Sequence, residues 1–143
     1  MIPVEEVGTD RHRVDMWTAE AAQRYNAYQP DYNWGFKGFR DIDGYVAIYL
    51  DGVWLRGPYL HNGSVPTLRD LLRQPEDRPK IFYRGYDVYD PVNVEFISQG
   101  KQAEAVGSRH DVNLPGNSNQ GHLFGTDLTE PDKSALLSYL KTL

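Results

Sequence analysis

Four histidines are the side chains of this sequence best suited to chemistry, because an imidazole binds metal ions and exchanges a proton near neutral pH. They are His12, His61, His110 and His122. No pair of them forms a His-Glu-x-x-His zinc motif, and the chain has neither a Gly-x-Ser-x-Gly elbow nor a Gly-rich phosphate loop before a helix. The chain also has no cysteine, which excludes disulfides, thiolate metal sites and cysteine nucleophiles within it.

The four histidines differ in their surroundings. His122 lies in a Gly- and Asn-rich loop, where Gly121 and Gly125 would let the backbone approach a flat ligand closely. His61 lies in a turn setting, which favours a structural role in which the imidazole hydrogen-bonds the backbone. The other two, His12 and His110, stand beside charged residues and are predicted to be solvated.

Length and composition predict one folded domain over residues 1–143. The chain is 40% hydrophobic and 24% charged, with a net charge of −5 and no basic patch that would indicate nucleic acid. Its longest apolar stretches, such as residues 45–50, are far shorter than the roughly 18 residues that a membrane span needs. Residues 1–10 lack the features of a secretory signal, so export of this polypeptide is not predicted.

Three helices are predicted from capping residues and apolar spacing. The first follows Asp15 as its N-cap and ends before Pro30, the second follows Thr67 and ends before Pro75, and the third follows Thr129. Their apolar faces are formed by Trp17, Ala21, Tyr25 and Tyr28, by Leu68, Leu71 and Leu72, and by Leu136, Leu137, Leu140 and Leu143.

The segments between the helices predict short strands and loops. Residues 45–50 are predicted to be extended, and residues 80–98 to form extended segments broken by a turn. Residues 100–128 are predicted to be mostly loop because they are rich in Gly, Pro and Asn. The predicted fold class is therefore mainly α with long irregular loops and a few short strands.

Three stretches, in this order, resemble one protein family. They are Leu50-Asp-Gly-Val-Trp-Leu-Arg-Gly-Pro-Tyr-Leu-His-Asn-Gly-Ser-Val-Pro-Thr-Leu68, Gly116-Asn-Ser-Asn-Gln-Gly-His-Leu-Phe-Gly-Thr126 and Asp132-Lys-Ser-Ala-Leu-Leu-Ser-Tyr-Leu-Lys-Thr-Leu143. Each is similar to a segment of the c-type cytochrome domains of di-haem cytochrome c peroxidases and rubber oxygenases. The resemblance covers nearly all of residues 45–143 and implies a partial cytochrome c-like domain.

The resemblance implies haem as the cofactor and places His122 at the distal axial ligand position. The alternative is a loop histidine held by backbone partners. The other implied haem-pocket residues are His61, Arg56, Trp54, Tyr59 and Phe124. Of three arginines that could pair with haem propionates, Arg56, Arg78 and Arg40, only Arg56 lies in the first motif. The aromatic residues would line the pocket or form the core.

The family's Cys-x-x-Cys-His motif, which attaches the haem and supplies an axial ligand, is absent from this chain. Either the chain is a fragment or a partner supplies that half, so the chain alone is not expected to be catalytically active. The leucine face of the last helix must then be buried against the first helix, a second copy of the chain or another protein. The family is usually periplasmic, whereas this chain carries no signal.

The resemblance and the missing motif together leave two possible functions open. The first is the distal part of a c-type cytochrome used in electron transfer or in peroxide or oxygen chemistry. The second is a haem-free binding or interaction module derived from a cytochrome.

Overall fold

Short helices and two-stranded sheets alternate along the chain in the computed structural model, which describes residues 1–28, 43–91 and 93–143. The helices are α1 (Val4–Val7), α2 (His12–Asp15), α3 (Ala19–Tyr28), α4 (Leu68–Leu71), α5 (Lys101–Val106) and α6 (Glu130–Leu140). The strands are β1 (Ile2–Pro3), β2 (Gly44–Tyr45), β3 (Ile81–Arg84), β4 (Tyr89–Asp90), β5 (Glu95–Phe96) and β6 (Ser108–Asp111). Two 3₁₀ turns span Val53–Leu55 and Pro75–Asp77.

The prediction of a mainly α fold is wrong. Helices account for 35% of the described part of the chain and strands for 14%. Four of the helices in this part have six residues or fewer. The helices are short because turn-forming residues are dense between them, which ends each helix early and leaves room for strands.

The described part of the chain contains three antiparallel strand pairs, and two of them join segments that are distant in sequence. β1 pairs with β2, β4 with β5, and β3 with β6. In the last pair Phe82 lies opposite His110, and both side chains are buried. β6 and α5 both lie in the segment predicted to be mostly loop, so that prediction is wrong for residues 101–106 and 108–111.

A leucine cluster between α4 and α6 forms the core beside the loop that carries His122. Its buried members are Leu68, Leu72 and Leu137. Partly buried side chains surround them, namely Val53, Trp54, Tyr59, Leu71, Leu136 and Leu140. Burying these apolar faces against each other stabilises the fold by about 25 cal/mol for each Å² removed from water.

The predicted caps of α4 and α6 are confirmed. Thr67 Oγ1 accepts a hydrogen bond from the Asp70 amide at 2.9 Å. Thr129 Oγ1 accepts one from the Asp132 amide at 3.4 Å. Each threonine side chain thus satisfies one of the amides that the first turn of a helix leaves without an intrahelical partner.

The predicted start of the first helix is wrong. Asp15 is the last residue of α2, and α3 begins at Ala19, where Thr18 Oγ1 accepts a hydrogen bond from the Ala21 amide at 3.1 Å. A threonine closer to the helix satisfies its first turn, so Asp15 is not needed as a cap. Pro30 and Arg40 lie outside the described residues.

The predicted extended piece over residues 45–50 is confirmed only at its first residue. Tyr45 pairs with Ile2, and the strand then ends. Val46, Ile48 and Tyr49 are exposed.

Among residues 1–28, 43–91 and 93–143, no helix is both long and apolar enough to cross a membrane.

Candidate functional site

His122 lies in the loop that joins β6 to α6, in the left-handed backbone region with a φ of 51°. Its amide donates a hydrogen bond to the Val7 carbonyl at 2.6 Å. Its ring packs edge-on against Phe124, with 5.1 Å between the ring centroids. The ring atom Nδ1 is buried without a hydrogen-bond partner. The imidazole is therefore held in place by its backbone and by packing, and one nitrogen remains unsatisfied.

The pKa of His122 is lowered, chiefly because burial disfavours the charged imidazolium. Its own backbone carbonyl raises the pKa, and the positive charge of Arg78 lowers it. The ring is therefore neutral at pH 7, which is the form that binds a metal ion. A neutral imidazole is the form that can ligate a haem iron, so the protonation state of His122 fits that role.

Arg78 is the residue that organises the loop around His122. Its side chain is only 2% exposed. It donates to five backbone carbonyls, those of Leu71, Arg73, Asn119, Gly121 and His122, at 2.6–3.3 Å. A guanidinium carries five N–H donors, so this set leaves none for a haem propionate. Arg78 thus joins the end of α4 to the loop, and the predicted propionate role does not fit it.

The N-terminal segment packs against the same loop. Gly121 has a φ of 78°, and a Cβ atom at this position would overlap the backbone of Gly8 and Thr9. Gly8, also at positive φ, ends α1. Only residues without a side chain allow two backbones to lie this close. Together with the hydrogen bond from the His122 amide to the Val7 carbonyl, this contact holds the loop against the N-terminal segment.

Trp54 and Tyr59 both pack against the leucine cluster. The Tyr59 hydroxyl donates to the Val53 carbonyl at 2.9 Å, and the Tyr89 hydroxyl donates to the Trp54 carbonyl at 3.1 Å. Burial raises the pKa of Tyr59. In this arrangement both rings belong to the core between α4 and α6.

The remaining predicted site residues lie in separate surroundings. His61 stacks on Tyr45 with 5.6 Å between the ring centroids, and burial lowers its pKa. Arg56 is exposed, with Nη1 3.5 Å from the Tyr49 carbonyl. Phe124 is 45% exposed. The structure thus brings His122 together with Phe124, and Trp54 together with Tyr59.

His110 was predicted to be solvated, and this prediction is wrong. Its side chain is 1% exposed, and both of its ring nitrogens are buried without hydrogen-bond partners. Its ring lies 5.0 Å from that of Phe82. Burial lowers its pKa, and so does the positive charge of Arg84. His12 is exposed as predicted, with Nδ1 2.9 Å from Asp10 Oδ1.

No group of three or more His, Asp or Glu side chains that could hold a metal ion occurs within the part of the chain that the structure describes. A haem iron does not require such a group. The macrocycle supplies four of its ligands, and the protein adds one or two axial ligands. A single well-placed histidine is therefore sufficient on one face.

One family model matches part of this chain. Residues 44–83 match the family described as RoxA-like, cytochrome c-like. The predicted resemblance to a partial cytochrome c-like domain is confirmed for this segment. The family indicates a cytochrome-type function and implies haem as the cofactor.

Two proteins of Sinorhizobium fredii (strain NBRC 101917 / NGR234) are also similar to this chain. "Uncharacterized protein y4iJ" is 42% identical over an alignment of 108 positions, and the match covers 69% of this chain and 18% of that protein. "Uncharacterized protein y4iM" is 55% identical over 56 residues, which make up 39% of this chain and 13% of that protein. The matched part of the chain spans less than a fifth of the length of either relative.

Proposed function

From the cytochrome c-like segment at residues 44–83, we propose that this chain supplies the distal side of a haem pocket used in electron transfer or in peroxide or oxygen chemistry. One observation carries the proposal. His122 presents a neutral imidazole whose buried Nδ1 has no hydrogen-bond partner among the described residues. Buried polar atoms are normally hydrogen-bonded, and an unpartnered one is explained by strain, by a catalytic or redox role, or by a water or an ion.

In this proposal His122 would ligate the haem iron, and haem when bound would supply the redox chemistry. Phe124 packs edge-on against the imidazole and restricts its rotation. Arg56 is exposed and makes a single long hydrogen bond, so its guanidinium remains available for a propionate. The other pocket residues expected from the sequence, His61, Trp54 and Tyr59, contact Tyr45 and the leucine cluster.

The opposite side of the pocket and the covalent attachment of the haem would come from a Cys-x-x-Cys-His segment. That segment would belong to the same polypeptide in a longer form or to a partner chain. These 143 residues would then bind haem noncovalently and would not catalyse the reaction alone.

A haem titration of the purified chain, followed by its Soret band, tests the role of His122. We expect a saturable shift at about one equivalent, and we expect His122→Ala to abolish it because the axial ligand is lost. His12→Ala is the matched control, since it removes an exposed histidine and should leave the shift unchanged. An equal shift in His122→Ala, or none in the unmodified chain, would contradict the proposal.

The alternative function is a haem-free binding or interaction module. The packing of Trp54 and Tyr59 favours it, because these rings are already in contact with the leucine cluster. Arg78 likewise has no donor left for a propionate. A folded chain, identified by dispersed amide resonances, that gives no Soret shift would support this alternative.

A further inference from the structure

A cavity of about 300 Å³ lies beside β3, away from the His122 loop. Its apolar lining consists mainly of Leu55, Pro58, Pro66, Phe82, Phe96 and Ile97. Two charged residues, Arg84 and Asp87, also line it. This volume is at the lower end of the range for small-molecule sites, which are mostly apolar with a few polar anchors.

Arg84 is the polar anchor of the cavity. It is partly buried, and its Nη1 donates to the Asn62 carbonyl at 3.2 Å. No carboxylate among the described residues forms an ion pair with it. Among the described residues Arg84 makes this one hydrogen bond, so most of its five N–H donors remain available.

The position of the Arg84 guanidinium is fixed by its neighbours. Asn62, which accepts from it, is itself anchored by hydrogen bonds from Nδ2 to the carbonyls of Gly116 and Ser118 at 3.0 and 2.9 Å. Gly63 lies against Nη1 so closely that a Cβ atom there would be 3.0 Å away. A guanidinium held in this way loses little entropy on binding a ligand.

Asp87 is exposed to solvent, so water screens its charge more than that of the partly buried Arg84. The cavity therefore favours a single negative charge beside apolar surface. Carboxylates match the fork of a guanidinium, and the side chains of Tyr86 and Phe96 offer flat partners for an apolar body. We propose that this cavity binds a small carboxylate with a flat apolar body, anchored by Arg84.

Benzoate is a suitable probe, with benzamide as its neutral counterpart of the same shape. In titrations followed by amide chemical shifts, we expect benzoate to saturate with a dissociation constant in the millimolar range or below, shifting residues 85–87 and 96–98. Benzamide should bind about tenfold more weakly, because it lacks the charge that pairs with Arg84.

Two variants test the anchor. Arg84→Gln should weaken benzoate binding about tenfold or more, whereas Arg109→Gln, which removes a charge from the neighbouring strand but does not line the cavity, should leave it unchanged. Equal binding of benzoate and benzamide, shifts located elsewhere, or equal loss in both variants would overturn the proposal. None of these measurements requires haem.

Discussion

At the scale of single residues, Arg78 explains how a Gly-rich loop holds a histidine in one position. A buried cation normally needs a carboxylate or several acceptors to offset the loss of its hydration. Here five backbone carbonyls take that role, and three of them belong to residues 119–122. The same hydrogen bonds that satisfy the guanidinium therefore also fix the backbone on either side of the candidate ligand.

We expect Arg78→Lys to destabilise the chain by about 3 kcal/mol or more, because an ammonium has three donors without the planar fork and leaves buried carbonyls unpaired. Urea denaturation would measure the loss. Arg73→Lys is the matched control, since Arg73 is exposed and its ion pair with Asp70 should contribute at most about 1 kcal/mol. Similar losses in the two variants would mean that the carbonyl cluster does not depend on the guanidinium.

Residue roles were predictable from the sequence only where local spacing determines them. His122 could be singled out because glycines flank it and the motif around it resembles a known family. The burial of His110 was not predictable, because it depends on pairing with Phe82 across a strand register that its own polar neighbours do not reveal. The five acceptors of Arg78 likewise come from two segments distant in sequence.

At the scale of elements, α4 and α6 begin with the same capping arrangement in different surroundings. Thr67 is 5% exposed, and its hydroxyl also donates to Asp70 Oδ2 at 2.8 Å. Thr129 is exposed, and its hydroxyl donates to Asp132 Oδ2 at 2.6 Å. If the threonine side chain were removed, water could hydrogen-bond the freed helix amide at the exposed cap of α6 but not at the buried cap of α4.

Thr67→Ala should therefore cost about 1–2 kcal/mol of folding free energy, and Thr129→Ala about 0.5–1 kcal/mol. The two variants control for each other, because both remove the same side chain from the same capping position. Thermal and urea unfolding of both proteins would give the difference. If Thr129→Ala lowered the free energy of unfolding more than Thr67→Ala did, burial of the cap would not determine its contribution to stability.

The elements that were predicted correctly, α4 and α6, begin with side chains that cap the helix within three residues. α5 was missed because its helix-forming residues are few and lie between Gly100 and Gly107, within a segment rich in turn formers. β6 was missed because a polar strand is recognisable only by its partner, β3. Local signals thus predicted the starts of α4 and α6, whereas β6 depended on long-range pairing.

At the scale of the whole molecule, the contact between Gly8 and Gly121 joins the first residues of the chain to the loop before its last helix. Val4 and Val7 are buried in the same segment, and the Val7 carbonyl accepts from the His122 amide. The N-terminal segment is therefore part of the support of the candidate ligand, although it lies outside the segment that matches the cytochrome family.

We expect Gly121→Ala to separate these two segments, because its methyl group would overlap the backbone of Gly8 in addition to adopting a strained positive φ. The cost should be about 3 kcal/mol or more, whereas Gly52→Ala, also at positive φ but with nothing within 4 Å, should cost about 1 kcal/mol. Hydrogen exchange would then accelerate at the amides of residues 4–9 and 121–122 in the first variant alone. If both variants lose equal stability and retain slow exchange there, the two segments do not support each other.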